Sequence, residues 1–135
     1  MGKLQSPEAT SSPQHTFNFA LANLAASQTA TDIPIPGGVV NTYLLPKGGY
    51  IVGYAINKSA AHGAGSLDFD IELDGTSTIT IAADTTSEYA TINAPDEPFS
   101  AGQTLGVTYT SDGSLSATTV DVAVTVYVMF EGWDI

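Results

Sequence analysis

Between residues 66 and 74 apolar and acidic side chains alternate without interruption, Leu67, Phe69, Ile71 and Leu73 against Asp68, Asp70, Glu72 and Asp74. A period of two sends successive side chains to opposite sides of an extended backbone, so this segment predicts a strand with one face in a core and one in water. Asp74-Gly75 follows at once and alternation resumes over residues 76–81. Two residues able to take positive φ between two alternating runs predict a tight hairpin. The same periodicity predicts strands over residues 16–21, with Phe17, Phe19 and Leu21 on one side, and over 28–35, 39–45, 50–57, 87–92, 103–110 and 118–130. Residues 22–27 are long enough only for a short helical turn.

The breaks between these runs are chemical. In the segment from Ile33 to Gly38 two prolines remove ladder donors and two glycines permit a sharp turn. Pro46-Lys47-Gly48-Gly49 and Ser111-Asp112-Gly113 are further turns, and residues 93–102, with two prolines, form a connection long enough to pass from one sheet to the other. Gly53, inside an Ile-, Val- and Tyr-rich strand, predicts a bulge or a close backbone contact. The last strand is the longest: Val120, Val122, Val124, Val126, Val128 and Phe130 line one face, while Ala123, Tyr127 and Met129 lie on the other. Partly apolar character on both faces predicts a central strand under loops or a subunit interface, and Ala123, Tyr127 and Met129 are the expected interface residues. The fold expected is all-β, an antiparallel β-sandwich of jelly-roll-like type. Residues 16–135 form the domain, preceded by an extended N-terminal arm over 1–15 that is proline-bearing, small and polar, and orders against a neighbour.

Composition narrows the function. A chain of 135 residues suits one domain. Fourteen acidic residues face three lysines, Lys3, Lys47 and Lys58, and no arginine, for a formal net charge of −11. Phosphate binding draws on Lys and Arg, so nucleic acid and anionic membranes are not expected partners. The absence of cysteine excludes disulfides, thiol nucleophiles and thiolate metal sites. No run of ~18 apolar residues and no signal-peptide stretch occurs, so synthesis in a cytoplasm is expected. Met1-Gly2 with Ser6 fits a myristoylation pattern, but one acyl chain without a basic patch anchors only marginally.

Candidate chemistry is sparse. His15 in the polar arm and His62 in the 58–65 loop have no Cys, His or carboxylate at ligand spacing, and a solvated histidine is the expectation for each. The row Asp68, Asp70, Glu72, Asp74 echoes the start of a calcium loop, but the twelfth position from Asp70 is Ile81 and the geometry is that of a strand. Neighbouring carboxyls on one strand face stand ~7 Å apart, so a solvated face that discourages edge pairing is the better reading. A glycosidase would need a convergent acid pair in a cleft with sugar-stacking aromatics, and Trp133 lies at the far C-terminus. No G-x-S-x-G elbow or phosphate-cradling glycine loop is present. No catalytic residue, metal ligand or cofactor is expected. Half of the six tyrosines are expected in the core, the rest on a contact surface.

The phrases Leu45-Pro46-Lys47-Gly48-Gly49-Tyr50-Ile51-Val52-Gly53, Pro98-Phe99-Ser100-Ala101-Gly102-Gln103-Thr104-Leu105-Gly106-Val107 and Asp121-Val122-Ala123-Val124-Thr125-Val126-Tyr127-Val128, with the hairpin at Asp74-Gly75, occur in an order that resembles small jelly-roll modules of tailed-phage virions. These serve as capsid decoration (cement) proteins or as head domains of tail fibres. The resemblance covers about two-thirds of the chain and rests on turn and strand phrases. It implies a homotrimer on the outer capsid surface whose partner is the major capsid protein, with the arm attached to the shell through Leu4, Pro7 and Pro13. Lack of a coiled-coil shaft and an acidic surface favour the capsid role over the fibre. The alternative is a receptor- or glycan-binding head module using loops 58–65, 93–102 and 111–117, whose only aromatic is Phe99.

Overall fold

The computed structural model describes residues 14–83, 86–94, 96–116 and 120–131. The expected attachment residues Leu4, Pro7 and Pro13, and Trp133, lie outside the described residues. Among the described residues ten strands run β1 (Gln14–Leu21), β2 (Thr31–Ile33), β3 (Thr42–Leu44), β4 (Gly49–Lys58), β5 (Leu67–Leu73), β6 (Thr76–Ala82), β7 (Ser87–Thr91), β8 (Pro98–Phe99), β9 (Thr104–Ser111) and β10 (Val122–Phe130). Every pairing is antiparallel. One sheet has the order β1-β10-β4-β7 with β8 also on β4, and the other β2-β9-β5-β6 with β3 also on β9.

The pairings nest. Asp74 and Gly75, at φ 53° and 78°, join β5 to β6 as the tight turn the alternation predicts. Counting outward from that tip, β4 pairs with β7 and β8, β2 and β3 with β9, and β1 with β10. A long hairpin of this kind, rolled so that β4 meets β10 and β5 meets β9, is a jelly-roll sandwich. The expected fold class is the observed one.

Alternation decides what lies between the sheets. In β5 Leu67, Phe69, Ile71 and Leu73 are buried, and in β10 so are Val122, Val124, Val126, Val128 and Phe130. Phe19 from β1 and Leu105, Val107 and Tyr109 from β9 join them. Tyr43 of β3 crosses to the other sheet, its ring 4.7 Å from Phe17 and 5.4 Å from Phe19, and its hydroxyl donates to Asn18 O. Gly53 does both things expected of it: the β4–β10 register shifts beside it, and a Cβ there would come within 2.8 Å of Ala90 O.

Several elements differ from expectation, each for a local reason. The strands expected over 28–35 and 39–45 shrink to three residues each. Ser27 and Ala30 take positive φ on one side, Pro34 lacks a donor, and Gly37 and Gly38 turn the chain before Val39. No helical turn forms over 22–27; Asn23 also has positive φ, and Leu24 is fully buried with its N–H on Val120 O. The 93–102 connection contains β8, which pairs Phe99 with Gly49. The first strand begins at Gln14 and the fourth extends to Lys58. Tyr109 is buried in the core and Tyr43 and Tyr54 pack against it half-buried, three of the six tyrosines as expected; Tyr50 and Tyr127 are half-buried and Tyr89 is exposed.

Ile71 is wholly buried at the centre of β5, between β6 and β9. Ile71→Ala should cost about 2–5 kcal/mol, read from urea unfolding as a lower midpoint with an unchanged m-value.

Candidate functional site

Two outer faces of unlike chemistry follow from the register. On the β2-β9-β5-β6 sheet Asp70 pairs with Thr80 and Thr108, Glu72 with Ser77 and Gly106, and Asp32 with Thr108. These side chains point away from the core, as Ile71 and Val107 between them point in. Asp70 accepts from the hydroxyls of Ser77 and Thr80, and Glu72 from that of Thr108, 3.0 Å away. Burial raises the Glu72 carboxyl above its ordinary value; the Thr108 hydrogen bond opposes that, while Asp70 and Asp32 add repulsion that raises it further. Asp74 is held below its usual value by the Thr104 N–H, at 2.8 Å. Hydroxyl donors thus surround these carboxylates, and among the described residues no three His, Cys, Asp or Glu side chains converge as a metal site.

The outer face of the β1-β10-β4-β7 sheet is different. Across it Asn18 pairs with Thr125, Thr125 with Ala55, and Ala55 with Tyr89. The rows on either side are Thr16, Tyr127, Gly53 and Thr91, then Ala20, Ala123, Asn57 and Ser87. None of these carries a charge. Their polar groups bond one another, Thr125 Oγ1 donating to Asn18 Oδ1 at 2.9 Å and Ser87 Oγ to Asn57 Oδ1 at 3.2 Å. Tyr89, 82% exposed, stands at one edge. Of the three residues expected at an interface, Ala123 is exposed and Tyr127 and Met129 are half-buried, all on this face. Among the described residues Asp121 borders it at one end, accepting from Asn23 N–H at 3.0 Å, and Glu131 at the other, accepting from the Tyr50 hydroxyl at 2.8 Å and raising the Tyr50 pKa through that bond and its charge.

The remaining sequence candidates are accounted for by packing. His15 is not in a polar arm: it belongs to β1, pairs with Val128 and places its ring 5.2 Å from that of Phe130. His62 holds the 58–65 loop, Nδ1 lying 3.0 Å from Lys58 Nζ and Nε2 3.2 Å from Gly65 O. The tautomer that satisfies both carries its proton on Nε2, so Nδ1 accepts from the ammonium. Lys58 itself is 2% exposed on the inward row with Val122, and also donates to Ala83 O. Its burial was not legible in the sequence, where it reads as the first residue of a loop.

The three loops that would form a glycan site are tied down. Phe99 is buried with its ring edge-on to Phe130 at 5.7 Å. Asp112 accepts from Ser114 N–H and Oγ through one carboxyl oxygen and from Ser66 N–H and Oγ through the other. Those bonds, the Ser114 hydroxyl foremost, hold its pKa low. Gly63 N–H donates to Ser116 O and Ser116 N–H to Ala64 O, stitching loop 58–65 to the 111–116 segment.

The sequence matches no family model and no curated protein. Solved structures do share its fold. A chain of the cyanophage Pam1 capsid asymmetric unit is 13% identical, with a TM-score of 0.55 over 96% of this chain and 94% of that one. A chain of the acidic stable capsid structure of Helicobacter pylori bacteriophage KHP30 is 10% identical, with a TM-score of 0.50 over 87% of each. At such identities the likeness is one of fold.

Two pH effects of opposite sign follow. A raised Glu72 pKa penalises the folded state once pH climbs past the unfolded value near ~4.3, so Glu72→Gln should raise the melting temperature by about 1 °C at pH 7 and by nothing below about pH 4. A lowered Asp112 pKa contributes stability that is present above ~3.9 and lost as pH falls through the folded value. Asn at 112 can serve only one of the two serines, so Asp112→Asn should speed hydrogen exchange at the Ser66 and Ser114 amides at neutral pH.

Proposed function

We propose that this chain is a virion structural protein, a capsid decoration (cement) protein that binds the outer surface of a major capsid shell and stabilises it. The observation that carries the reading is the segregation of charge between the two outer faces. A chain of net charge −11 keeps three successive outward rows of one sheet, those of Thr16, Asn18 and Ala20, free of charge and loads the outer face of the other with Asp32, Asp68, Asp70 and Glu72. Burying a carboxylate against protein is costly unless it is paired, whereas Thr, Asn, Ala and Tyr bury at little cost. The uncharged face is therefore suited to protein contact and the acidic one to solvent. Shared fold with chains of two phage capsid structures supports the same reading.

In this role Ala123, Tyr127 and Met129 make subunit contacts within a homotrimer, and the N-terminal residues, through Leu4, Pro7 and Pro13, reach the shell. The subunits are made in the host cytoplasm and work on the particle surface. Attachment needs no catalysis. The competing role, a receptor- or glycan-binding head, is weakened by Phe99, the aromatic of its loops, being spent on the core.

Co-sedimentation with expanded empty capsids, beside a parallel incubation with host cells, tests the proposal. Binding to capsids and not to cells is expected. Because residues 1–13 carry too little apolar content to join a core, deleting them should leave the melting temperature nearly unchanged and weaken capsid binding by about tenfold. Capture by cells alone, or undiminished capsid affinity after truncation, would count against the cement role or the arm's part in it respectively.

A further inference from the structure

Residues 22–30 carry the chain from β1 in one sheet to β2 in the other and form neither helix nor strand. Among the described residues four non-glycine residues take positive φ, and three of them lie here: Asn23 at 59°, Ser27 at 57° and Ala30 at 46°. Asparagine tolerates the left-handed region because its short amide bonds nearby backbone, but for Ser and Ala the Cβ crowds the neighbouring carbonyl. Such a conformation persists only where surrounding contacts impose it.

The imposing contacts come from both sheets. At the end of β9 the Ser111 hydroxyl donates to Ala25 O at 2.6 Å and accepts from Gln28 N–H at 3.1 Å, while Asp112 O accepts from Ser27 N–H at 3.0 Å and Thr110 Oγ1 from Ala30 N–H at 3.1 Å. Just ahead of β10, Val120 O accepts from Leu24 N–H at 2.9 Å and the Asp121 carboxylate from Asn23 N–H at 3.0 Å. The segment is thus a strap across one end of the sandwich. Its apolar hold is narrow: Leu24 is fully buried in the core, whereas Ala22, Asn23, Ser27, Thr29 and Ala30 are exposed.

We infer that this strap opens as one unit while both sheets stay packed, lifting Leu24 out and baring the apolar space it fills at the end of the sandwich. The opening is a property of the domain alone and goes beyond its role on a particle. Its balance follows from the contacts above. Opening loses the burial of one leucine and a set of bonds that water replaces, and it releases the strain at Ser27 and Ala30. Global unfolding must in addition expose the inward rows of β5, β9 and β10, so the strap lies at the low-stability end of the molecule. It moves together because Ser111 Oγ joins Ala25 to Gln28, and Leu24 leaves only when the bonds on either side of it give way.

The chain has no cysteine, so a single introduced thiol reports its own exposure. Leu24→Cys and, as a core reference in β10, Val124→Cys are labelled with an aromatic disulfide reagent at urea concentrations below the unfolding transition. The thiol at position 24 should react at least about a hundredfold faster than the one at 124, with little dependence on urea, whereas labelling at 124 should climb with the full unfolding slope. In the Leu24→Cys background Ala30→Gly, which removes strain, should slow labelling about threefold. Ser111→Ala, which removes two strap bonds, should speed it about tenfold. Amide hydrogen exchange of the unsubstituted chain checks the same opening without a core substitution: the Leu24, Ser27 and Gln28 amides should share one opening free energy, below that of the Ile71 and Val126 amides. Equal rates and urea dependence at 24 and 124, strap amides that open separately or only with the core, or labelling indifferent to both Ala30→Gly and Ser111→Ala would each overturn the inference.

Discussion

The structure depends on the hairpin at Asp74-Gly75. Two residues at positive φ fix the register of β5 against β6, and every later pairing is added outside that one, β4 with β7, β2 and β3 with β9, β1 with β10. Because side chains alternate, the turn that fixes which residues pair also fixes which face is inside. Slipping β5 by one residue would put Asp68, Asp70 and Glu72 among the valines of β10, several unpaired carboxylates in a core. That penalty makes the register unambiguous.

What the register creates on the outside is equally determined. On one sheet every outward position of β5 is acidic, balanced by hydroxyls from β6 and β9 that bond Asp70 and Glu72. On the other, small and polar side chains from four strands interlock without a charge, from Asn18 through Thr125 and Ala55 to Tyr89. Tyr127 and Met129 are half-buried there by their neighbours before any partner arrives. Such a surface loses little on desolvation, which is the physical requirement for a contact that forms and holds.

Strong local signals translate directly into elements. The β5–β6 hairpin, the valine row of β10 and the bulge at Gly53 all follow from residues adjacent in the chain, and all are present. Short elements escaped because tertiary contacts set them. Leu24 is drawn into the core by a bond to Val120, nearly a hundred residues away, and no helix forms around it. His15 reads as polar-arm residue until β10 is placed beside it and Phe130 meets its ring. Lys58 reads as a loop residue, yet the β4–β10 register turns it inward, where Ala83 O and His62 satisfy it. The uncharged face is written in four separate segments, so only the strand order brings it together; Ala123, Tyr127 and Met129 were visible beforehand because they alternate with valines.

Jelly-roll sandwiches serve many ends, so function rests on the surface and not on the fold. Two surface features bear on it: charge kept off the outward rows around Thr125, and loops held closed by Asp112 and His62. For the proposed role, the most direct measurement is a cryo-electron microscopy map of expanded phage capsids incubated with the purified chain. The account predicts sandwich density on the outer shell, with the face bearing Ala123 and Tyr127 packed against protein and the Asp68–Asp70–Glu72 row turned to solvent. A particle lacking that density, or one in which the acidic row is the buried face, would contradict it.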